Sequence, residues 1–244
     1  IDFMIDNGNT VNFKFFFVFP SCVPATTLET SGSNLDASKI EILLQRDDIF
    51  FLSEMMNFPG VLNDFPDVIQ KLEMAKKYQK PIDGHAPGLT GQQLDKYIQA
   101  GISTDHESLS VEEAEEKISK GMKIQIREGS AAKILNKFYA LIDKYPENIM
   151  FCTDDCHPND LIAKHINHFI HYGLKKGIDI FSLLKAATLN PIQHYGLNVG
   201  LLQESDPADF IVVSNLDDFK IKETYINGNL VFDGEKSLFH TTNI

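Results

Sequence analysis

The 244-residue sequence has few residues that could form disulfide bonds and no long apolar run that could span a membrane. It contains no tryptophan and only three cysteines, Cys22, Cys152 and Cys156. A small, odd number of cysteines does not build a disulfide framework and suits a reducing compartment. The longest apolar run, around residues 15–19, is far shorter than the ~20 residues of a membrane-spanning helix, and no secretory leader is visible. We therefore expect a cytoplasmic protein without a membrane partner.

Positive charge is also scarce. Lysine and arginine number 22 against 34 aspartates and glutamates, which gives a formal net charge of −12, and the only arginines are Arg46 and Arg127. A chain this acidic has little attraction for nucleic-acid phosphates or anionic lipid, so we expect no nucleic-acid partner. With 43% hydrophobic and 23% charged residues, the composition is that of a globular protein rather than a disordered one.

Short apolar runs alternate along most of the chain with stretches of helical spacing. The predicted strands are 14–20, 48–53, 80–84, 101–104, 122–127 and 148–153. Helical patterns lie between them, such as Val68, Leu72 and Ala75 at i, i+4 and i+7. Strand and helix in regular alternation predict parallel strands joined by crossover helices, which is an α/β architecture.

Two further helical patterns carry specific expectations. Ala114 and Ile118 predict a helix whose glutamates, Glu113 among them, form a solvated outer face. Apolar residues at helical spacing from 131 to 142 predict another helix, with Ser130 as its N-cap.

The pattern changes near residue 190. The chain then shows short predicted strands at 210–213, 225–227 and 230–232, with a turn at Gly228-Asn229 that is typical of a hairpin. We therefore divide the chain into a barrel portion, 1–190, and part of a small β domain, 191–244.

Ligand-type side chains follow the predicted strands at their carboxyl ends. The residues in question are Glu54, His85, His106, Arg127, Glu128, Asp154 and Asp155. In a parallel barrel these ends open on one face, so the side chains converge there. Two imidazoles with two carboxylates suit a divalent cation such as Zn, Mn or Fe. Each residue alone would more often be a turn or cap residue, but the joint pattern favours a metal site formed by Glu54, His85, His106 and Asp154.

Three other histidines are discounted. His165, His168 and His171 lie at i, i+3 and i+6 on the helix after the last barrel strand. A helix there belongs to the outer ring of a barrel, so we interpret them as surface or packing residues.

Several segments of the sequence carry a family resemblance. They are 20–26 (PSCVPAT), 54–57 (EMMN), 83–88 (DGHAPG), 104–107 (TDHE), 127–130 (REGS) and 152–158 (CTDDCHP), followed by 187–191 (ATLNP), 193–196 (QHYG) and 200–210 (GLLQESDPADF). Together they resemble the bacterial adenine deaminases of the metal-dependent amidohydrolase superfamily. The resemblance covers nearly the whole chain.

The resemblance implies a (β/α)8 TIM-type barrel, with six of its eight βα units in this chain, followed by a small β domain. It implies that Glu54, His85, His106 and Asp154 bind one or two divalent ions, and that Glu54 and Asp154 are catalytic. Asp154 would shuttle a proton while metal-activated water deaminates adenine to hypoxanthine and ammonia. Asp155, Arg127 and Glu128 would contact the purine, and we expect a homo-oligomer.

One departure from the family pattern concerns the first barrel strand, which carries a His-x-His pair in the superfamily. The eight histidines of this chain include no two that are two residues apart. We therefore expect the chain to be a fragment that lacks the first two strands. Two alternatives stay open: another amidohydrolase acting on a cyclic amide or a modified aminopurine, and a truncated, non-catalytic relative.

Overall fold

The computed structural model describes residues 1–25 and 28–239; Thr26 of the first family segment and residues 240–244 of the predicted β domain lie outside them. Its strands are β1 (Phe17–Phe19), β2 (Ile49–Met55), β3 (Ile82–Gly84), β4 (Thr104–Asp105), β5 (Lys123–Arg127), β6 (Ile149–Cys152), β7 (Phe210–Val213), β8 (Ile221–Ile226) and β9 (Asn229–Phe232). Each of the six strands predicted in the barrel portion is present; all except β2 are shorter than predicted, and β4 overlaps its predicted range only at Thr104.

Helices separate these strands. They are α1 (Asp2–Gly8), α2 (Ala37–Leu44), α3 (Phe58–Leu62), α4 (Pro66–Lys77), α5 (Gly91–Gln99), α6 (Val111–Ser119), α7 (Leu135–Phe138), α8 (Ala140–Lys144), α9 (Pro158–Ala163), α10 (Ile166–Lys175), α11 (Ile180–Leu184) and α12 (Asn190–Tyr195), with a π-helical turn, Lys185–Leu189, between the last two. Within the described residues, none of these helices has the length and apolar character needed to cross a bilayer.

The first six strands run parallel, as predicted. They form two three-stranded sheets with the orders β1-β2-β3 and β4-β5-β6. The two sheets adjoin where the Ser103 amide donates to the Ile82 carbonyl over 3.0 Å. One apolar core lies around β1–β3 and another around β4–β6. All six carboxyl ends therefore point the same way, which is the condition for a shared site.

Glycine is required at the point where the two sheets adjoin. A Cβ on Gly84 would lie 2.2 Å from the Thr104 carbonyl oxygen and 2.8 Å from the Ile102 Cγ2 atom. We expect Gly84→Ala to lower the free energy of unfolding by about 1–3 kcal/mol, the usual cost of overpacking, as measured by urea denaturation. Gly32→Ala is the matched control because nothing lies within 4 Å of a Cβ there; equal stability of both variants would contradict the expectation.

Two helix predictions are wrong. Ser130 is not an N-cap, because residues 129–133 form a turn in which the Gly129 amide donates to the Ala132 carbonyl over 2.9 Å. The Ser130 hydroxyl instead donates to Asp160 and accepts from the His157 amide, so the helix begins only at α7. Glu113 does not face solvent either: it is 6% exposed, because it pairs with the buried Lys117 one helical turn away.

The segment after α12 forms an antiparallel sheet of order β7-β8-β9. The predicted hairpin is present, but its turn lies one residue earlier than predicted, at Asn227 and Gly228. Both have positive φ, 50° and 76°, the combination that type I′ turns require and that favours Asn-Gly. The division of the chain at residue 190 stays a prediction.

Helix α12 also reaches the parallel strands. The Tyr195 ring stacks on Phe51 of β2 with 4.4 Å between centroids. Its hydroxyl donates to the Asp83 carboxylate of β3 over 2.8 Å and accepts from the Gln125 amide of β5 over 2.6 Å. One side chain thus joins three strands of the barrel portion.

Candidate metal centre

Glu54, His85 and His106 meet at the carboxyl ends of three consecutive strands. Glu54 Oε2 lies 3.0 Å from His85 Nδ1 and 3.1 Å from His106 Nε2. The two imidazole rings are 5.3 Å apart between centroids and inclined by 74°. Because β2, β3 and β4 are parallel neighbours, residues at their ends are brought together without any long loop.

Asp154 joins this group through His106 and Glu107. One ligand atom from each of His106, Glu107 and Asp154 lies within 4.8 Å of the others, and Glu107 Oε1 lies 3.7 Å from His85 Nδ1 and 3.8 Å from His106 Nε2. The four ligands expected from the sequence therefore fall into two groups that share His106: Glu54, His85 and His106 in one, and His106 and Asp154 with Glu107 in the other.

Arg127 accounts for the position of Asp154. The Arg127 guanidinium forms an ion pair with Glu107 over 2.5 Å through Nη2 and a second with Asp154 through Nη1. Asp154 has a φ of 47°, in the left-handed region that few non-glycine residues occupy and that clusters at functional sites. The remaining nitrogen, Arg127 Nε, is buried and without a hydrogen bond among the described residues.

A cavity of about 250 Å³ opens beside these side chains. Its lining includes Glu54, His85, Glu107, Arg127 and Asp154, together with Asp155 and Met56. Glu128 is not among the lining residues: its carboxylate lies 3.7 Å from Lys164 Nζ and accepts from the Leu135 amide over 3.3 Å. A cavity of this size is slightly below the ~300–1,000 Å³ of drug-sized ligand sites, which suits a small ligand.

The electrostatics favour a charged Glu54. The His106 and His85 imidazoles beside the carboxylate lower the pKa of Glu54 to about 2. Burial lowers the pKa of His106, but the Glu54 carboxylate opposes it and the pKa of His106 is raised above its ordinary value. Two imidazoles thus share one carboxylate oxygen.

This donor set fits a divalent cation. Imidazole nitrogens and carboxylate oxygens are the ligands that Zn, Mn and Fe accept. His106 Nε2 is buried and makes no hydrogen bond among the described residues, although Glu54 Oε2 lies 3.1 Å away; a buried polar atom without a hydrogen bond requires an explanation. A cation between Glu54, His85 and His106 would provide that partner.

Two residues around the centre were not identified as functional from the sequence. Tyr97, fully buried in α5, accepts from the His85 amide and donates to the Met55 carbonyl, both over 3.0 Å. It thereby holds the ends of β2 and β3 together. Glu107 lies in a family segment that predicts no role for it. Because β4 ends at Asp105, His106 and Glu107 both follow the strand, and the alternation of side chains along a strand does not place them on opposite faces.

Curated relatives are similar to the chain over its whole length. An adenine deaminase of Methanosarcina barkeri is 56% identical over 240 residues, which are 98% of this chain and 44% of that protein. An adenine deaminase of Sulfurovum sp. is 52% identical over 244 residues, 100% of this chain and 46% of that protein. The chain therefore spans less than half the length of these relatives.

Solved structures show the same fold at low sequence identity. A β-aspartyl dipeptidase of Fervidobacterium islandicum AW-1 superposes with a TM-score of 0.63 at 18% identity, covering 93% of this chain and 65% of that one. An N-acetylglucosamine-6-phosphate deacetylase of Pasteurella multocida gives a TM-score of 0.64 at 12% identity, covering 93% and 70%. These neighbours confirm the predicted α/β fold of TIM-barrel type. A model of the amidohydrolase family matches residues 1–231, and the chain belongs to that family.

Proposed function

We propose that this chain is part of a metal-dependent adenine deaminase, which converts adenine and water to hypoxanthine and ammonia. The observation that carries the proposal is the cluster of Glu54, His85 and His106 with Asp154 at the edge of one small cavity. Relatives named adenine deaminase, at 52% and 56% identity, support the choice of substrate.

The proposed ligands are Glu54, His85, His106 and Asp154, for one or two ions of Mn, Fe or Zn. A bound divalent cation supplies the acidity that makes water a nucleophile at neutral pH. Glu54 contributes negative charge throughout the neutral range, because its pKa is about 2. Glu107 lies within 4 Å of both histidines and adds negative charge on the side facing Arg127.

Asp154 is the proposed proton shuttle. Deamination breaks the bond between C6 and the amino nitrogen, forms a bond from C6 to oxygen, and needs a proton transferred from water to the departing amine. A carboxylate at the cavity edge can accept that proton and donate it again. The ion pair with Arg127 fixes the orientation of the Asp154 carboxylate.

Asp155, Arg127 and Glu128 are the proposed contacts to the purine. Asp155 and Arg127 line the cavity, where a carboxylate and a guanidinium can form hydrogen bonds with the edge of a purine. Glu128 has weaker support, because its carboxylate is already engaged by Lys164 and Leu135. A cytoplasmic location and a homo-oligomeric state stay predictions from the sequence.

The proposed activity can be measured directly in the intact protein that contains this chain. We expect ammonia release from adenine, loss of that activity after exhaustive chelation, and its return on adding a divalent metal. A cyclic amide substrate would instead be opened with consumption of water and no ammonia. Turnover of cyclic amides without deamination of adenine would favour another amidohydrolase, and metal binding without turnover of either would indicate a non-catalytic relative.

A further inference from the structure

A fully buried lysine lies behind the candidate metal centre, outside the cavity. The side chain of Lys117, on α6, is 0% exposed. Lysine is almost never fully buried unless it is paired, and isolated burial of a charge is very unfavourable. The position of Lys117 therefore depends on the groups around it.

Those groups lie next to the two histidines, in the loop after β3 and at the end of β4, and on α6 itself. Lys117 Nζ donates to the Ala86 carbonyl over 2.8 Å, to Asp105 Oδ2 over 2.9 Å and to Glu113 Oε1 over 2.6 Å. An ammonium group has three donors, so each N–H is used. Ala86 directly follows His85, and Asp105 directly precedes His106.

The Asp105 and Glu113 carboxylates also accept hydrogen bonds from the backbone of the loops after β3 and β4. Asp105 Oδ1 accepts from the Ala86 amide over 2.9 Å. Glu113 accepts from the Gly88 amide through Oε1 and from the Leu109 amide through Oε2, each over 2.9 Å. The loop after β3 and the loop after β4 are therefore fixed to one buried cluster, Lys117, Asp105 and Glu113.

We propose that Lys117 is a positioning residue for the metal centre, which sets the separation of His85 and His106 by holding the residue next to each of them. This inference rests on the proposed function, because it assumes that the two histidines bind the metal. Lys117 does not touch the ligand atoms, so its effect is through the backbone of the two loops. Groups that orient metal ligands typically account for ~10–100-fold in metal affinity.

The test compares buried residues of α6 with a partly exposed lysine at the end of that helix, in the intact protein. Lys117→Met removes the charge and keeps the length of the side chain. Glu113→Gln is the milder variant, which keeps the shape but weakens the link to Lys117. Lys120→Met is the matched control, since Lys120 lies one turn away, is partly exposed and pairs with Asp95 and Glu116.

Metal affinity and the absorption spectrum of the cobalt-loaded protein are the two measurements. We expect Lys117→Met and Glu113→Gln to weaken Co²⁺ and Zn²⁺ binding ~10–100-fold and to change the cobalt d–d bands, which report ligand geometry. Lys120→Met should match the wild type in both. A core variant on α8, Leu141→Ala, controls for lost stability, because Leu141 is buried in the core around β4–β6 and should lower Tm without changing the spectrum.

The outcomes separate this inference from the proposed function. Wild-type affinity and an unchanged cobalt spectrum in folded Lys117→Met would overturn the positioning role, as would an equal change in Leu141→Ala. If Lys117→Met does not fold, wild-type metal affinity and an unchanged cobalt spectrum in Glu113→Gln would overturn the positioning role instead. Failure of the wild type to bind Co²⁺ or Zn²⁺ at all would overturn the proposed metal centre itself, and this inference with it.

Discussion

Replacement of Glu54 by glutamine is expected to lower the divalent-metal affinity of the intact protein by more than the ~10–100-fold that changes around a metal ligand cost. Glu54 Oε2 lies 3.0 and 3.1 Å from the two imidazoles, nearer to both than Glu107 Oε1 at 3.7 and 3.8 Å. Glutamine has the same shape, so the fold should be retained, but the negative charge that attracts the cation is lost. Deamination should fall with metal content.

Metal content after dialysis and ammonia release are the measurements for Glu54→Gln. Glu73→Gln is the matched control, because Glu73 is an exposed residue of α4 that pairs only with Lys76 in the described structure. A Glu54→Gln protein that retains wild-type metal affinity would remove Glu54 from the ligand set. Activity restored by excess metal would instead show that Glu54 acts on affinity and not on the chemical step.

Asp154→Asn should separate metal binding from proton transfer. Asparagine keeps an oxygen donor but cannot accept and return a proton, so metal content should be largely retained while kcat falls ~10²–10⁴-fold, the usual contribution of a general acid–base group. The loss should appear in kcat rather than in KM, since the purine contacts assigned to Asp155 and Arg127 remain.

The checks are metal analysis and ammonia release from adenine on the same sample. Asp143→Asn serves as the control, because Asp143 is an exposed residue on α8 that accepts from the Asp179 amide. Unchanged turnover in Asp154→Asn would contradict its role as proton shuttle. Loss of metal together with turnover would make Asp154 chiefly a ligand, which its place beside His106 and Glu107 also allows.

The sequence was most informative where a strand ends. Apolar runs bounded by polar residues located β2, β3 and β4 closely enough to place Glu54, His85 and His106 at neighbouring ends. The geometry then follows from parallel pairing, which requires no knowledge of distant contacts. This is why the sequence alone predicts that Glu54, His85 and His106 lie close together.

Long-range partners were not visible in the same way. Lys117 and Glu113 are an i, i+4 pair on an amphipathic helix, which is typical of an exposed surface, and only packing of α6 against the two loops makes them buried. Ser130 precedes apolar residues at helical spacing, but its hydroxyl is taken by Asp160 and the His157 amide, residues about 30 positions later. Local pattern cannot reveal such contacts.

The contacts of Tyr195 bear on how the chain can be divided. This side chain lies beyond the predicted boundary at residue 190, yet it stacks on Phe51 and is hydrogen-bonded to Asp83 and Gln125. Burial raises the pKa of Asp83 to about 6, while the hydrogen bonds from the Thr104 and Tyr195 hydroxyls oppose that rise. The charged form of this carboxyl group is therefore stabilised by its hydroxyl partners. A truncation ending at residue 190 would therefore leave an aromatic ring and a carboxyl group uncovered between the strands, and cooperative unfolding should extend through α12.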